Sequence, residues 1–469
     1  MTFLDAAAAR IGGAHILTGD ALAPWQRDAT GGYVSAPAAL LRPGSTAEVA
    51  ALLALATEHR QPVVPVSGHT GLTGGTRAGP GEVLISTERL DAIRRISAEE
   101  RLAEVEAGVV LAALHEKTEE AGLLFPLTFG ARGSAQIGGM LATNAGGSNV
   151  LAFGNMRDNV LGLEAVLADG RVLNLMSSLH KDNSGFNLRH LMIGSEGQLG
   201  LLTAAVLRLQ PAPRIRATAM LATASLQAAL TLLNRLQEET GGKVVACEYM
   251  PAAFIAAHLA HHPGARPPFA APAEHNVMIE IASPAAEDAA PGPDGQPALT
   301  AALEALLAAA LEEGLVLDAH IAASEAQRHE MWARREAAAE VTFARAPFVD
   351  CDIAVPLAAV APFLAEVRAR LKARLPKAED MVVAHLGDGN IHYTIYPGEA
   401  GMADAAALRA LVDETAVEMG GSFSAEHGVG TSKLGAMRAL KDPVALEVMR
   451  SIKAALDPLG LLNGGKLLP

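Results

Sequence analysis

The stretch HLGDGNIH sets His385 and His392 on either side of a Gly-Asp-Gly-Asn turn, with strand-forming residues on both flanks. A chain that folds back here brings the two imidazoles toward one another. Farther on, SAEHGVG places Glu426 and His427 just ahead of another glycine turn. Two imidazoles and a carboxylate make an N,N,O donor set that suits Zn²⁺, Mn²⁺ or Fe²⁺ and leaves coordination positions open for a substrate. The plainer alternative is a hairpin whose histidines cap the turn or hydrogen-bond to backbone.

A second kind of chemistry is written in glycine. VSGHTGLTGGT, Val66–Thr76, follows a strand-like run and offers Gly68, Gly71, Gly74 and Gly75 within a few residues. Without Cβ atoms, backbone N–H groups can converge on an anion. No Gly-Lys-Ser/Thr closes the loop and the G-x-G-x-x-G spacing is missing, so it is neither a P-loop nor a Rossmann fingerprint. Taken alone, it reads equally as a structural turn. GARGSAQIGGMLATNAGG (130–147) is a second such segment, with Ser134, Thr143 and Asn144 as donors. IGSEGQLG (193–200) is a third, and NGGKLLP lies at the end. Cradles distributed in this way suit one long, bent ligand with a pyrophosphate in its middle.

The elements that must position these groups are readable in outline. Ser45 is a plausible N-cap for STAEVAALLALATEHR, with Glu48 completing a capping box. QPVVPVSG, EVLIS and LAEVEAG read as strands, and a helix is expected from about Leu111 to Glu120. LGLEAVLADGRVLNL reads as a hairpin in which Asp169-Gly170 supplies the positive φ of a primed turn. Pro211 and Pro213 mark a boundary. Beyond it RIRATAML (strand), SLQAALTLLNRLQEE (helix) and NVMIEIAS (strand) suggest a second α+β unit, interrupted by the Pro/Gly-rich SPAAEDAAPGPDGQPA, a poor candidate for ordered structure.

The chain has 469 residues, enough for two or three domains. A net charge of −14 argues against nucleic acid as a partner. Cys247 and Cys351 are the only cysteines, which makes no disulfide framework and fits a reducing compartment. Asp5 and Arg10 fall where a secretory signal needs an apolar run, and IAVPLAAVAPFLA from Ile353 is too short and proline-broken to span a membrane. A cytoplasmic location is expected, with a peripheral contact to the inner face of the membrane left open.

The ordered motifs PVSGHTGLTGG, GSAQIGGMLATNAGG, GLEAVLADG, GSEGQLG, HLGDGNIH, SAEHGVG and NGGK, from about residue 38 to the end, resemble the FAD-linked D-2-hydroxy-acid dehydrogenases. That family includes D-lactate, glycolate and D-2-hydroxyglutarate dehydrogenases. The resemblance implies an α+β protein: an N-terminal segment (1–37), a two-part PCMH/VAO-type FAD-binding domain (38–212), a substrate or cap domain with an antiparallel sheet (213–415), and a C-terminal segment (416–469) returning to the flavin. It implies that Val66, Ser67, Gly68, His69, Thr70, Gly71 and Gly74 wrap the FAD pyrophosphate. Gly133, Ser134, Gly138, Thr143, Asn144 and Gly147 would line the rest of the cofactor, with Glu196 and Gly200 at its nucleotide end and Asn463 and Lys466 near the flavin. Gly464 departs from the family's usual Asn-Pro-Gly-Lys. By the same resemblance His385, His392 and Glu426 bind a divalent metal (zinc, alternatively manganese or iron), and His427 is the candidate catalytic base. Arg335, in MWARRE, is the partner of the substrate carboxylate, although a solvated helix face would read alike. Thr394 is a substrate-binding position.

The implied reaction is oxidation of a D-2-hydroxy acid to the 2-oxo acid, with hydride passing to flavin N5 and electrons to a quinone, a cytochrome or an electron-transfer flavoprotein. A homodimer is left open. An oxidase that uses O₂, a flavin-carrying subunit of a complex, and a nucleotide-binding metal hydrolase are the competing readings. The D-2-hydroxyglutarate branch places a Thr one helical turn after the Arg, a Lys just before the next strand, and an Asn two residues after the second His. This chain has Ala339, Asp350 and Thr394 there. An Asp in place of a Lys repels a second carboxylate, so a monocarboxylate such as D-lactate is the expected substrate, with D-2-hydroxyglutarate or D-malate as the alternative. His69 also departs, since some related flavoproteins attach FAD covalently through a His at about this point.

Overall fold

The computed structural model describes residues 1–293 and 295–469. Ala39–Leu41, Val83–Ser86 and Val63–Val66 are joined in parallel, with Ile16–Leu17 added antiparallel at one edge. Apart from half-buried Pro65, every residue of the three parallel strands is buried, as strands covered on both faces must be. The Thr46–His59 helix packs on this sheet through Val49, Leu52, Leu53 and Ala56, in one core with the Phe3–Ile11 helix. Ser45 caps it by accepting from Glu48 N, but the Glu48 carboxylate reaches back one residue farther than a capping box requires, to Gly44 N at 2.7 Å.

A five-stranded antiparallel sheet follows, ordered Ile93–Ser97, Leu102–Glu106, Leu201–Arg208, Val160–Val166, Val172–Leu175. The Leu111–Glu120 helix forms as expected, and with the Ile137–Thr143 helix it shares this sheet's core. The hairpin at Asp169-Gly170 is present but its turn is not a primed one. Only Gly170 has positive φ, Gly170 N donates to Leu167 O, and Leu167 N donates to Arg171 O. That pattern is a wider loop closed by a left-handed glycine, so one αL residue suffices where a type I′ turn needs two.

The largest sheet has seven strands, ordered Val316–Ile321, Ile215–Thr223, His275–Ser283, Val244–Pro251, Glu379–His385, Asn390–Tyr396, Val349–Ala354. Every pairing in it is antiparallel. One face is covered by the helices Leu226–Glu239, Ala298–Glu312, Val360–Arg374 and Ala405–Glu418. Into that core point Cys247 and Tyr249, Val382 and Ala384, Ile391, Tyr393 and Ile395, and Cys351 and Ile353. Alternation along a strand then sends the residues between them to the other face: Glu248, Val383 and His385, His392 and Thr394, Asp350 and Asp352. The polar face of this sheet is thus fixed by the apolar face behind it. Burying each of Ile391 and Ile395 is worth roughly 1.5–3 kcal/mol, and a one-residue slip would forfeit all of it while turning His392 inward. The Pro/Gly-rich segment is more ordered than expected on both sides of Asp294, which lies outside the described residues: Asp288 pairs with Lys243 at 2.7 Å and Pro291 bridges Pro297.

Candidate active site

Strand register brings the histidines together. His385 lies opposite Asn390 and His392 opposite Val383, so the two rings are diagonal neighbours on one face, with centroids 5.4 Å apart. The adjoining strand sets Asp352 opposite His392 and Asp350 opposite Thr394. The turn carrying Glu426 and His427 is tied to the same strand, because both backbone N–H groups donate to Asp352 Oδ2, at 3.1 and 2.9 Å. Glu426 Oε1 consequently stands 3.5 Å from His392 Nε2, 3.5 Å from His427 Nε2 and 4.0 Å from His385 Nε2. One ligand atom each from Asp352, His392, Glu426 and His427 falls within a 4.8 Å span. The tightest set therefore includes His427, read from sequence as a base, while His385 stands slightly outside it.

Buried carboxylates orient these rings. Glu248 is wholly buried and accepts from His385 Nδ1 at 2.9 Å and from Arg335 Nε at 2.6 Å. Burial alone would raise its pKa, but the two cations outweigh burial and hold it below the usual carboxylate range. With its Nδ1–H engaged, His385 turns Nε2 toward the cluster, where it also meets Arg335 Nη2 at 3.2 Å. A carboxylate behind a histidine is the arrangement that orients metal ligands. Asp352 does the same for His427, at 3.6 Å from Nδ1, and is itself held by Lys433 Nζ at 3.3 Å. Burial works against a charged His427, yet Asp352 and Glu426 lift its pKa to about 9; burial drives His392 down to about 3. Glu426, opposed by burial but favoured by its hydrogen bond to His427 and by the neighbouring rings, falls to about 2. Neutral His392 and ionised Glu426 are in the forms that ligate a cation, and a cation's own charge would displace the proton of His385, so the donor set fits a divalent metal.

This cluster forms one end of a cavity of about 660 Å³ whose other walls are the glycine segments. Val66, Ser67, Thr70 and Gly71 line it from the first loop, Gly138 and Thr143 from the second, and Glu196, Gly200 and Asn463 from the others. A Cβ at Gly71 would meet no protein atom within 4 Å, whereas Gly139 lies so close to Ser67 that a Cβ would stand 2.9 Å from its carbonyl oxygen. Asn463 spans the walls by donating to Gly75 O and Glu196 O, at 3.2 and 2.6 Å, and its backbone N donates to Val63 O at 2.8 Å. Its Oδ1 is buried with no partner. A cavity with a glycine-lined wall and an unpaired acceptor fits a long polar cofactor.

Several expected cofactor residues act from behind the wall. Gly68, at φ 68°, backs onto Ser134 O, and its N–H donates to Gln136 Oε1. Gly74 and Gly147 have positive φ and leave no room for a Cβ beside Thr431 and Thr128. Asn144 caps the Ile137–Thr143 helix in the αL conformation. Gly133 belongs to a neighbouring cleft, and Ser134 is exposed. Lys466 is buried off the wall, its carbonyl accepting from Gln198. His69 does not line the cavity and has both ring nitrogens engaged, Nε2 with Arg27 O at 2.7 Å and Nδ1 with Thr76 Oγ1 at 3.3 Å. Glu196 is buried and accepts from Val429 N and Gly430 N, so it braces the turn after His427.

Sequence reasoning missed Glu248, Asp352 and Lys433. A signal existed: in VACEYMP and VDCDIAVP an acidic residue sits between buried neighbours at the strand period. Arg335, Ala339, Asp350 and Thr394, the positions expected to face the substrate, line the cavity, with Thr394 Oγ1 donating to Asp350 Oδ1 at 2.9 Å.

Comparison with known proteins agrees with this geometry. The FAD binding domain family matches residues 37–176, and the family described as FAD linked oxidases, C-terminal domain, matches 212–467. The D-2-hydroxyglutarate dehydrogenase of Xanthomonas citri pv. viticola is 36% identical over 446 residues, covering 94% of this chain and 91% of its own. The mitochondrial D-2-hydroxyglutarate dehydrogenase of Bos taurus is 37% identical, covering 92% of this chain and 76% of its own. Among solved structures, substrate-bound p-cresol methylhydroxylase superposes with a TM-score of 0.76 at 15% identity, covering 99% of this chain and 96% of that one. The fold is thus of the PCMH/VAO type, as expected. On the combined matches, the chain belongs to the FAD-linked D-2-hydroxy-acid dehydrogenases, oxidoreductases that act on CH–OH groups.

Proposed function

We propose that this chain oxidises a D-2-hydroxy acid to its 2-oxo acid, using FAD and a divalent metal held by His385, His392 and Glu426, with Asp352 Oδ1 4.0 Å from His392 Nδ1. When bound, the flavin supplies a two-electron acceptor and the cation supplies positive charge at the hydroxyl oxygen. Oxidation removes the hydrogen on C2 as hydride and the hydroxyl hydrogen as a proton. With the cation's positive charge beside it, His427 would lose the proton it otherwise holds and take the hydroxyl proton at Nε2, and Asp352, facing Nδ1, would stabilise the imidazolium that results. Arg335 pairs with the substrate carboxylate, its guanidinium held in place by Glu248. The single observation carrying this reading is the convergence of Glu426, His392 and His427 at 3.5 Å on the cavity that the glycine segments line.

On the identity of the acid, the names of the curated relatives support the dicarboxylate D-2-hydroxyglutarate over D-lactate. One observation favours the monocarboxylate as a second reading: Asp350 lines the substrate end, and among the described residues no lysine lines the cavity. Anaerobic mixing of the yellow protein with D- and L-2-hydroxy acids, with and without a chelator, tests the chemistry. D-acids are expected to bleach the flavin and the chelator to abolish bleaching; bleaching by no 2-hydroxy acid, or undiminished after metal removal, refutes the proposal. Steady-state kcat/KM for D-2-hydroxyglutarate, D-malate and D-lactate then separates the two substrates.

A further inference from the structure

A second group of metal-ligating side chains stands apart from the active site. The Ala252–His261 helix ends in HLAHH, so that His258, His261 and His262 crowd its last turn. The rings of His258 and His262 lie 4.8 Å apart by centroid, and those of His261 and His262 4.9 Å. From the facing Ala338–Phe343 helix, Glu340 brings Oε1 to 2.9 Å from His261 Nε2 and 3.7 Å from His262 Nε2. Ligands held about 2.05 Å from a tetrahedral Zn²⁺ stand about 3.3 Å from one another, which lies between those two distances.

Two further facts point to a ligand. His262 Nε2 is buried without a hydrogen-bond partner, and so is Nδ1 of His258, a residue only 6% exposed behind it. The neighbouring cation, Arg334, is engaged by Arg266 O at 2.9 Å and faces Glu330 at 3.7 Å. Glu340 also lines the main cavity, and its helix follows directly on the one that carries Arg335.

We propose that His261, His262 and Glu340 form a second divalent transition-metal site, of the N,N,O type that Zn²⁺ takes, with water in the fourth position. Its ion ties the end of the Ala252–His261 helix to the segment that follows Arg335. The site does not depend on the chemistry assigned to the active-site cluster, which shares none of its ligands.

The test is a calorimetric titration of the metal-stripped flavoprotein with ZnCl₂, followed by metal analysis after gel filtration, for the wild type and for His261→Ala/His262→Ala. Uptake at the active-site cluster is common to both proteins and cancels in the comparison. The double variant is expected to bind one equivalent fewer, with FAD content and turnover unchanged, and to lose part of the rise in melting temperature that Zn²⁺ gives the wild type. If the double variant does not fold, His261→Gln, at a side chain 36% exposed, replaces it. Equal Zn²⁺ equivalents in wild type and variant, or a difference that appears only at millimolar Zn²⁺, overturns the proposal.

Discussion

Replacing Glu248 by Gln keeps the side chain's shape and removes its charge, at a position with no solvent exposure. The carboxylate accepts from Arg335 Nε at 2.6 Å and His385 Nδ1 at 2.9 Å, whereas an amide offers one oxygen and one NH₂. Arginine cannot accept, so the oxygen turns to Arg335 and the NH₂ faces His385. His385 must then place its proton on Nε2, the nitrogen it presents to Glu426 and His392. Two costs follow. Breaking a buried charge pair on one side costs about 3–5 kcal/mol, and the surviving bond puts Glu248→Gln near the lower end. Loss of a carboxylate behind a ligating histidine weakens metal affinity about 10–100-fold, or about 1.4–2.7 kcal/mol. Chelator competition and thermal melting measure the two quantities on one preparation, with flavin absorbance reporting that the cofactor cavity is intact. Wild-type metal affinity in a variant whose melting temperature has fallen would show that Glu248 supports the fold without setting the tautomer of His385, and the reasoning would fail.

Asp350→Lys removes a like charge and adds an opposite one at the substrate end, so kcat/KM for D-2-hydroxyglutarate relative to D-lactate should rise at least about tenfold; an unchanged ratio would place the distal carboxylate elsewhere. Gly68→Ala puts a Cβ 2.8 Å from Ser134 O at φ 68°, and the conformation alone costs about 1–2 kcal/mol. It should lower both the flavin-to-protein ratio and the stability of the flavin-free protein, while Gly71→Ala, with no protein atom within 4 Å of its Cβ, lowers the ratio only. Acid precipitation should leave all the yellow colour in the supernatant, because His69 stands off the cavity wall with both ring nitrogens already engaged; colour in the pellet would contradict that geometry.

Local signals reached the elements that local chemistry decides. Ser45 caps the helix it was expected to cap, Leu111–Glu120 forms as read, and the turn between His385 and His392 closes a hairpin. What stayed hidden depends on pairings between distant segments. Asp352 acquires its role only when Val349–Ala354 lies beside Asn390–Tyr396, and Glu248 only when Val244–Pro251 meets Glu379–His385. In sequence each is an acidic residue in an apolar run. The turn at Asp169-Gly170 was misjudged for a different reason: the dipeptide permits a primed turn, and the spacing of the two strands selects a wider one. Glycine, for its part, marks backbone proximity without saying to what. Gly71 borders the cavity, while Gly68 and Gly147 are pressed against neighbouring chain.

Leu462 bridges Val63 in parallel and Asn463 holds Glu196 and Gly75 together. During translation the N-terminal half can assemble its sheets while later segments are still being made. The wall that Gly75 and Glu196 form nevertheless stays unpinned until Asn463, 388 residues after Gly75, has been made and has left the ribosome. Closure of that wall accordingly waits on a segment synthesised long after the wall itself.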